Sequence, residues 1–226
     1  MNDSIYLFYE CENANCGLRF PGYSGYPRWN RCPVCRSNIH VVAKVNHPDF
    51  PSSGSNSYRM LPVEVLLDNI RSAFNVGSIF RTSDGAGVHK IYCCGISPDP
   101  DNSRVRKTAL GAEETIPWEK SSNGLVTAEK LKLHGSILWA LEDLPGAVPL
   151  FQVNLPTQYS SIILVVGNEI TGVDPGIIDI CNKVITIPMV GVKSSYNVAI
   201  AFSIAISFLF YRQNDSQESL KALPNT

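Results

Sequence analysis

The stretch IPMVGVKSSYNVAIAFSIAISFLFY, residues 187–211, decides how the rest of the chain is read. A Pro-Met turn and a Gly-Ser-Asn loop run into a long apolar segment. That segment falls short of the roughly 20 apolar residues a bilayer span needs, and Ser203 and Ser207 interrupt it, so the pattern predicts a buried helix. Ser195 is expected to cap this helix, its hydroxyl satisfying an orphan amide of the first turn. The loop before a helix N-terminus is also a favourable place for a polar ligand.

Working outward, the segments upstream supply partners for that loop. Strand-like LPVEVLLDNI (61–70) is followed by a helical pattern from Asn75 that a glycine ends at Gly87. Strands are expected at 90–95, 136–141, 161–166 and 183–187, with helices at 106–112, 127–133 and 175–181 between them. Such alternation implies an α/β domain built on a mainly parallel sheet covered on both faces. The tail from 213 to 226 is polar and reads as frayed.

The composition narrows the class. A chain of 226 residues with formal charge -1 is long enough for one domain and a small appendage, and carries no overall field that would hold a polyanion. The start, MNDSIYLFYE, has neither a basic n-region nor an apolar core, so no signal peptide is expected and the location is read as cytoplasmic, with no membrane partner. Four of seven cysteines fall in the first 35 residues, as Cys11-x4-Cys16 and Cys32-x2-Cys35. Two such pairs can set four thiolates around a structural Zn²⁺, giving a zinc-ribbon lobe over residues 1–45 whose folding the metal would complete. Free or disulfide-linked cysteines are the alternative, and a redox Cys-x-x-Cys lacks the flanking strand and helix.

Between the cysteine pairs, Arg19, Arg28 and Arg31 interleave with Phe20, Tyr23, Tyr26 and Trp29, and no acidic residue occurs from Asn13 to Pro48. Rings for stacking and guanidinium groups for phosphates suit single-stranded RNA, although any one ring also suits a mini-core. A Ser-, Pro- and Gly-rich linker at 46–60 separates this lobe from a domain at 61–212. In that domain Arg104, Arg106 and Lys107 form a second basic cluster suited to phosphates. Gly85-Ala-Gly87 does not continue into a dinucleotide fingerprint and no phosphate-binding G-x-x-x-x-G-K occurs, so familiar nucleotide loops are unsupported. By contrast, the apolar strand entering VVGNEITG (165–172) ends in glycines at a sheet's carboxyl edge, where such sheets bind ligands.

Three stretches taken in order, NVGSIFRTSD, VVGNEITG and IPMVGVKSSYNV, closely resemble the motifs of the SpoU, or TrmH-like, RNA 2′-O-ribose methyltransferases of the SPOUT superfamily. The resemblance covers residues 61–212. It implies S-adenosylmethionine as methyl donor, RNA as substrate, a deep C-terminal trefoil knot and a homodimer. Gly167 and Ile187 match the family's cofactor-contacting positions, Leu141 matches a residue at the pocket edge, and Tyr196 stands where Leu is usual. Together with Met189 these would line an adenosine slot. Asn75, Arg81, Glu169, Ser195 and Asn197 match the polar motif positions of the reacting end. Ala199 replaces a usual Ser, so pocket shape and cofactor affinity are open to change. Two other readings stand beside this one: a non-catalytic RNA-binding protein with a degenerate knot, and a knotted methyltransferase acting on a base nitrogen.

Overall fold

The computed structural model describes residues 5–23, 30–46, 63–156, 161–192 and 195–221. The chain divides into two compact units, Met1–Ser57 and Tyr58–Thr226. Arg28, Trp29, Tyr26 and the 47–60 stretch of the expected linker lie outside the described residues.

In the first unit β1 (Ile5–Cys11) is the centre of an antiparallel sheet, with β2 (Arg19–Tyr23) on one side and β3 (Ile39–Asn46) on the other. Arg19 and Phe20, placed by the sequence between the cysteine pairs, sit on a strand. The cause is pairing with β1, which sets Glu10 opposite Arg19 and Tyr9 opposite Phe20. Phe20 stacks on Tyr9 with ring centroids 5.7 Å apart, a cross-strand pair that gives this small sheet part of its apolar cover. Two tight turns leave the sheet. Each carries a cysteine pair and each is followed by a residue in the left-handed conformation, Gly17 after Cys16 and Arg36 after Cys35.

The second unit is organised by a seven-stranded sheet in which every pairing is parallel. Its strands are β4 (Val63–Asp68), β5 (Lys90–Cys94), β6 (Trp118–Ser121), β7 (Ile137–Leu141), β8 (Val148–Pro149), β9 (Ile162–Val166) and β10 (Lys183–Thr186), in the order β6-β5-β4-β9-β7-β10-β8. All five residues of β9 are buried, as expected of a strand covered on both faces. Alternation then sorts the side chains into two cores. Val63, Val65, Leu67, Ile162, Leu164 and Trp139 face α1 (Ala73–Ala86), α2 (Ser103–Ala109), α3 (Ala112–Thr115) and α6 (Val198–Lys221). Leu66, Ile163, Val165, Leu138 and Ala140 face α4 (Gly124–Leu133) and α5 (Pro175–Ile180). Among the described residues no helix is long and apolar enough to cross a membrane.

Helix boundaries differ from the sequence expectation where an asparagine caps. Asn102 accepts the Arg104 N–H at 2.9 Å and Asn123 accepts the Val126 N–H at 3.1 Å, so α2 and α4 begin three residues earlier than apolar spacing suggested. Ser195 does not cap α6. Asn197, directly before the first helical residue, accepts the Ala199 N–H at 3.0 Å and the Ile200 N–H at 3.4 Å, while Ser195 is two positions further out. At its other end α6 extends to Lys221, into the polar tail. Strands β6 and β8 had no apolar signature, being short and lying toward or at the edges of the sheet.

Gly77 sets how closely α1 and α2 pack. A β-carbon there would lie 2.0 Å from Thr108 Oγ1 and 2.4 Å from the Val105 carbonyl oxygen. Gly77→Ala should therefore destabilise the domain by about 1–3 kcal/mol through overpacking, despite alanine's better helix propensity. Adding Thr108→Ala should recover only part of this, because the backbone clash remains. A melting temperature for Gly77→Ala equal to or above wild type would overturn the assignment.

Candidate active site

The carboxyl ends of β4, β7, β9 and β10 meet the loops that lead to α1, α5 and α6, and the polar residues singled out from the sequence gather there. Glu169 stands on the loop after β9. Its carboxylate accepts the N–H groups of Arg71 at 2.8 Å and Ser72 at 3.1 Å, and the Asn75 carboxamide donates to it at 2.8 Å. It thus satisfies the start of α1, where orphan amides and the helix dipole favour a negative charge. Burial alone would raise the Glu169 carboxyl. Hydrogen bonds from the Arg71 amide, its own amide, the Asn75 side chain and the Ser72 amide outweigh that and hold it below the usual carboxylate range.

Asn75 does not bond to Arg81. Its oxygen accepts from Asn197 Nδ2 at 3.1 Å, so Glu169, Asn75 and Asn197 form one chain across three segments distant in sequence. Thr82 Oγ1 and Ser203 Oγ, 3.0 Å apart, join α1 to α6 beside this chain.

The loop after β9 is cinched. Asn168 and Gly172 exchange backbone hydrogen bonds at 3.0 and 2.9 Å, and Glu142 accepts the Val173 N–H at 3.0 Å. A β-carbon on Gly167 would lie 2.2 Å from the Val173 nitrogen. The glycine is required by the loop folding back on itself, and it also lines the cavity at this edge.

Two cavities adjoin here. One, of about 450 Å³, has apolar walls from Leu141, Val166, Ile187, Met189 and Val198 and also takes in Gly167, Ser195, Tyr196 and Asn197. Its described lining includes three carboxylates, Glu142, Asp143 and Glu169, and no cationic side chain. The other, of about 480 Å³, is lined by Asn75, Arg81, Lys107, Ala199 and Ile200 among others, with no acid among the described residues that line it. Asn197 belongs to both. Glu142 and Asp143, just past the end of β7, and Thr186, the last residue of β10, were missed in the sequence because they lie outside any motif; Asp143 accepts from the Thr186 hydroxyl at 3.1 Å.

The basic cluster on α2 divides. Lys107 shares the cavity with Arg81, Arg104 lines a separate hollow, and Arg106 donates to the Pro100 carbonyl at 2.7 Å, which ties it to its own loop. In the first unit Arg19 lies 3.7 Å from Glu10, an exposed pair, and Arg31 donates to the Arg36 carbonyl at 3.4 Å. Cys11, Cys16, Cys32 and Cys35 converge there. Their sulfurs all lie within 4.8 Å of one another, with Cys11 to Cys35 at 3.4 Å and Cys16 to Cys32 at 3.8 Å. Four sulfurs about 2.3 Å from a tetrahedral zinc ion sit about 3.8 Å apart, so the donor set and its size fit Zn²⁺.

The sequence profile of the SpoU rRNA Methylase family matches residues 62–207. The 23S rRNA (guanosine-2'-O-)-methyltransferase RlmB of Neisseria meningitidis serogroup B is 33% identical over 211 residues, covering 91% of this chain and 76% of that protein. Among solved structures, the A. aeolicus TrmH/SpoU tRNA modifying enzyme superposes with a TM-score of 0.63 at 27% identity, over 71% of this chain and 79% of its own. The AdoMet-bound rRNA methyltransferase from Sinorhizobium meliloti gives 0.62 at 26% identity, over 69% of this chain and 58% of its own.

The lowered Glu169 carboxyl generates a pH dependence. Its stabilising effect is complete above the unfolded value of about 4.3 and is lost as pH falls through the lower folded value. Glu169→Gln removes the charge and sets an amide donor against one of the two backbone N–H groups. Acid unfolding followed by circular dichroism should show the variant less stable at pH 7 and with a flatter profile below about pH 4.3. Superimposable profiles would exclude the capping role.

Proposed function

Because the chain belongs to the SpoU rRNA methylase family, we propose that the two adjoining cavities hold the two reactants of an S-adenosylmethionine-dependent RNA 2′-O-ribose methylation, the activity this chain carries. The observation that supports this placement is the separation of charge. The cofactor carries a sulfonium and an ammonium group against one carboxylate, a net positive charge that suits a cavity whose described lining has three carboxylates and no cation. The RNA brings phosphates, which suit the neighbouring cavity with Arg81 and Lys107 and no acid.

S-adenosylmethionine supplies a methyl group on a positively charged sulfur, open to attack by a ribose oxygen. In this reading Leu141, Ile187 and Met189 hold the adenosyl moiety, with Gly167 and Tyr196 shaping the slot and Ser195 at its polar end. Asn197 stands where the cavities meet and Asn75 fixes it, so these residues align the 2′-hydroxyl with the methyl group. Glu169 acts as a positioning residue, since its oxygens are occupied by the start of α1. Arg81 has no hydrogen bond or ion pair within the described residues and clamps the phosphate beside the target ribose. A guanidinium presents N–H donors and no acceptor, so it is unsuited to act as the base.

The proposal includes a structural Zn²⁺ on Cys11, Cys16, Cys32 and Cys35, and a lobe over 1–45 that reads RNA through Arg19, Arg28 and Arg31. Arg104, Arg106 and Lys107 are assigned to flanking phosphates, with Arg106 the weakest of the three because its guanidinium is already engaged. A deep C-terminal knot and a homodimer follow from the family. Exposed Val190, Val192 and Ile200 supply apolar surface for a second copy. Ribosomal RNA is the favoured substrate, since the relative that aligns over most of the chain acts on 23S rRNA. Mass spectrometry of nucleosides from rRNA and tRNA of a deletion strain tests this directly, a missing 2′-O-methyl mark in tRNA alone counting against it.

Arg81→Ala should reduce methyl transfer at least about 100-fold while S-adenosylmethionine affinity by calorimetry stays within about twofold, because the loss falls on positioning of the RNA. Activity near wild type on the authentic substrate would defeat the assignment. Replacing Cys32 and Cys35 by Ser should release zinc, measurable by metal analysis, and unfold the first unit. RNA binding should then weaken and its salt dependence become shallower. Unchanged methylation by this variant would remove the lobe as a substrate reader, and loss of cofactor binding would overturn the domain assignment.

A further inference from the structure

A third hollow, of about 380 Å³, lies between the first turn of α1 and the loop from β5 to α2, and neither reactant cavity includes it. It combines two chemistries. Phe74 and Ile96 are 52% and 66% exposed, a large apolar surface for residues that core packing does not use. Around them stand Arg71 and Arg104, and no acidic side chain lines the hollow. The Arg71 backbone N–H bonds to Glu169, but neither guanidinium has a partner among the described residues. Two acids stand on the same loop: Asp99 lies 3.5 Å from Lys120, and Asp101 does not line the hollow. Asn102 adds a side chain to the rim, though its oxygen is committed to the Arg104 amide.

An exposed ring next to unpaired guanidinium groups fits an unstacked base with its phosphates, and fits the same patch of a second copy poorly, because a two-fold axis there would oppose the same positive charges. The hollow is also continuous in sequence with the reaction site. Arg71, Ser72 and Phe74 line it, and Asn75, Ser78 and Arg81 of the same helix line the basic cavity. We infer that this hollow binds one unpaired nucleotide of the RNA flanking the methylated one, its base against Phe74 and Ile96 and its phosphates against Arg71 and Arg104. The inference rests on the methyltransferase reading for its geometry, and it assigns Phe74 and Arg71 to RNA recognition, a role their sequence positions did not suggest.

The test uses the full chain and a single-stranded oligoadenylate nonamer with 2-aminopurine at its centre, whose fluorescence falls when the base stacks. Wild type should bind and quench it. Phe74→Ala, and equally Phe74→Leu, should weaken binding at least about fivefold and lose the quenching, as expected for loss of a base-aromatic stack. Arg71→Ala combined with Arg104→Ala should flatten the dependence of log K on log salt by about 1.4, or about 0.7 for each phosphate contact. Melting temperature and S-adenosylmethionine affinity of the Phe74 variants should match wild type, which separates a binding defect from misfolding. No oligonucleotide binding by wild type, unchanged affinity in all variants, or loss of self-association in place of RNA affinity would each overturn the inference. Transfer of labelled methyl to RNA from cells lacking the enzyme tests the other reading separately. No transfer alongside intact, Phe74-dependent binding would defeat the methyltransferase placement alone.

Discussion

The site depends on one carboxylate. Glu169 reaches from the loop after β9 to the start of α1, and in doing so fixes two backbone amides and the Asn75 side chain. Asn75 then holds Asn197, which is also the cap of α6. Removing any member leaves a donor or acceptor without its partner, and an orphaned polar group costs more than the net worth of the bond it made. The chain joins residues 94 and 122 positions apart, so it forms only when the sheet, α1 and α6 are all in place. Its members are thus tied to the fold as much as to any ligand.

The parallel sheet explains why this junction lies where it does. Each strand delivers its following loop to the same edge, and helices cover both faces, so the loops gather a site at that edge rather than on a face. Acids from the loops after β7 and β9 face one cavity, and cations from α1 and α2 face the other. Two oppositely charged reactants can meet at such a boundary without either entering the other's field, which gives the site selectivity before any specific contact is made.

Much of this was legible in the sequence. Buried strands announced themselves by β-branched runs, and the three motifs carried part of the lining of both cavities. What was not legible depended on pairing across the fold. The acid-free window from Asn13 to Pro48 suggested an unopposed arginine surface, yet antiparallel register brings Glu10 opposite Arg19 from outside that window. Asn102, Asn123 and Asn197 moved helix starts because capping acts through a side chain that hydrophobic spacing does not register. Glu142 and Gly77 carry no local signature, since one matters through Val173 and the other through Thr108 and Val105.

The ionisation of the site bears on how the proposed reaction gains its rate. A general base is most effective when its pKa lies near the working pH. Glu169 is held the opposite way, below the usual carboxylate range, with its oxygens already accepting hydrogen bonds. Arg81 offers N–H donors and no acceptor. Neither is poised to take the hydroxyl proton, so alignment must supply most of the gain. Holding reactants in near-attack geometry is worth roughly 7–11 kcal/mol. A hydrogen-bonded chain that fixes Asn197 at the boundary of the two cavities is the kind of rigid support that such alignment requires.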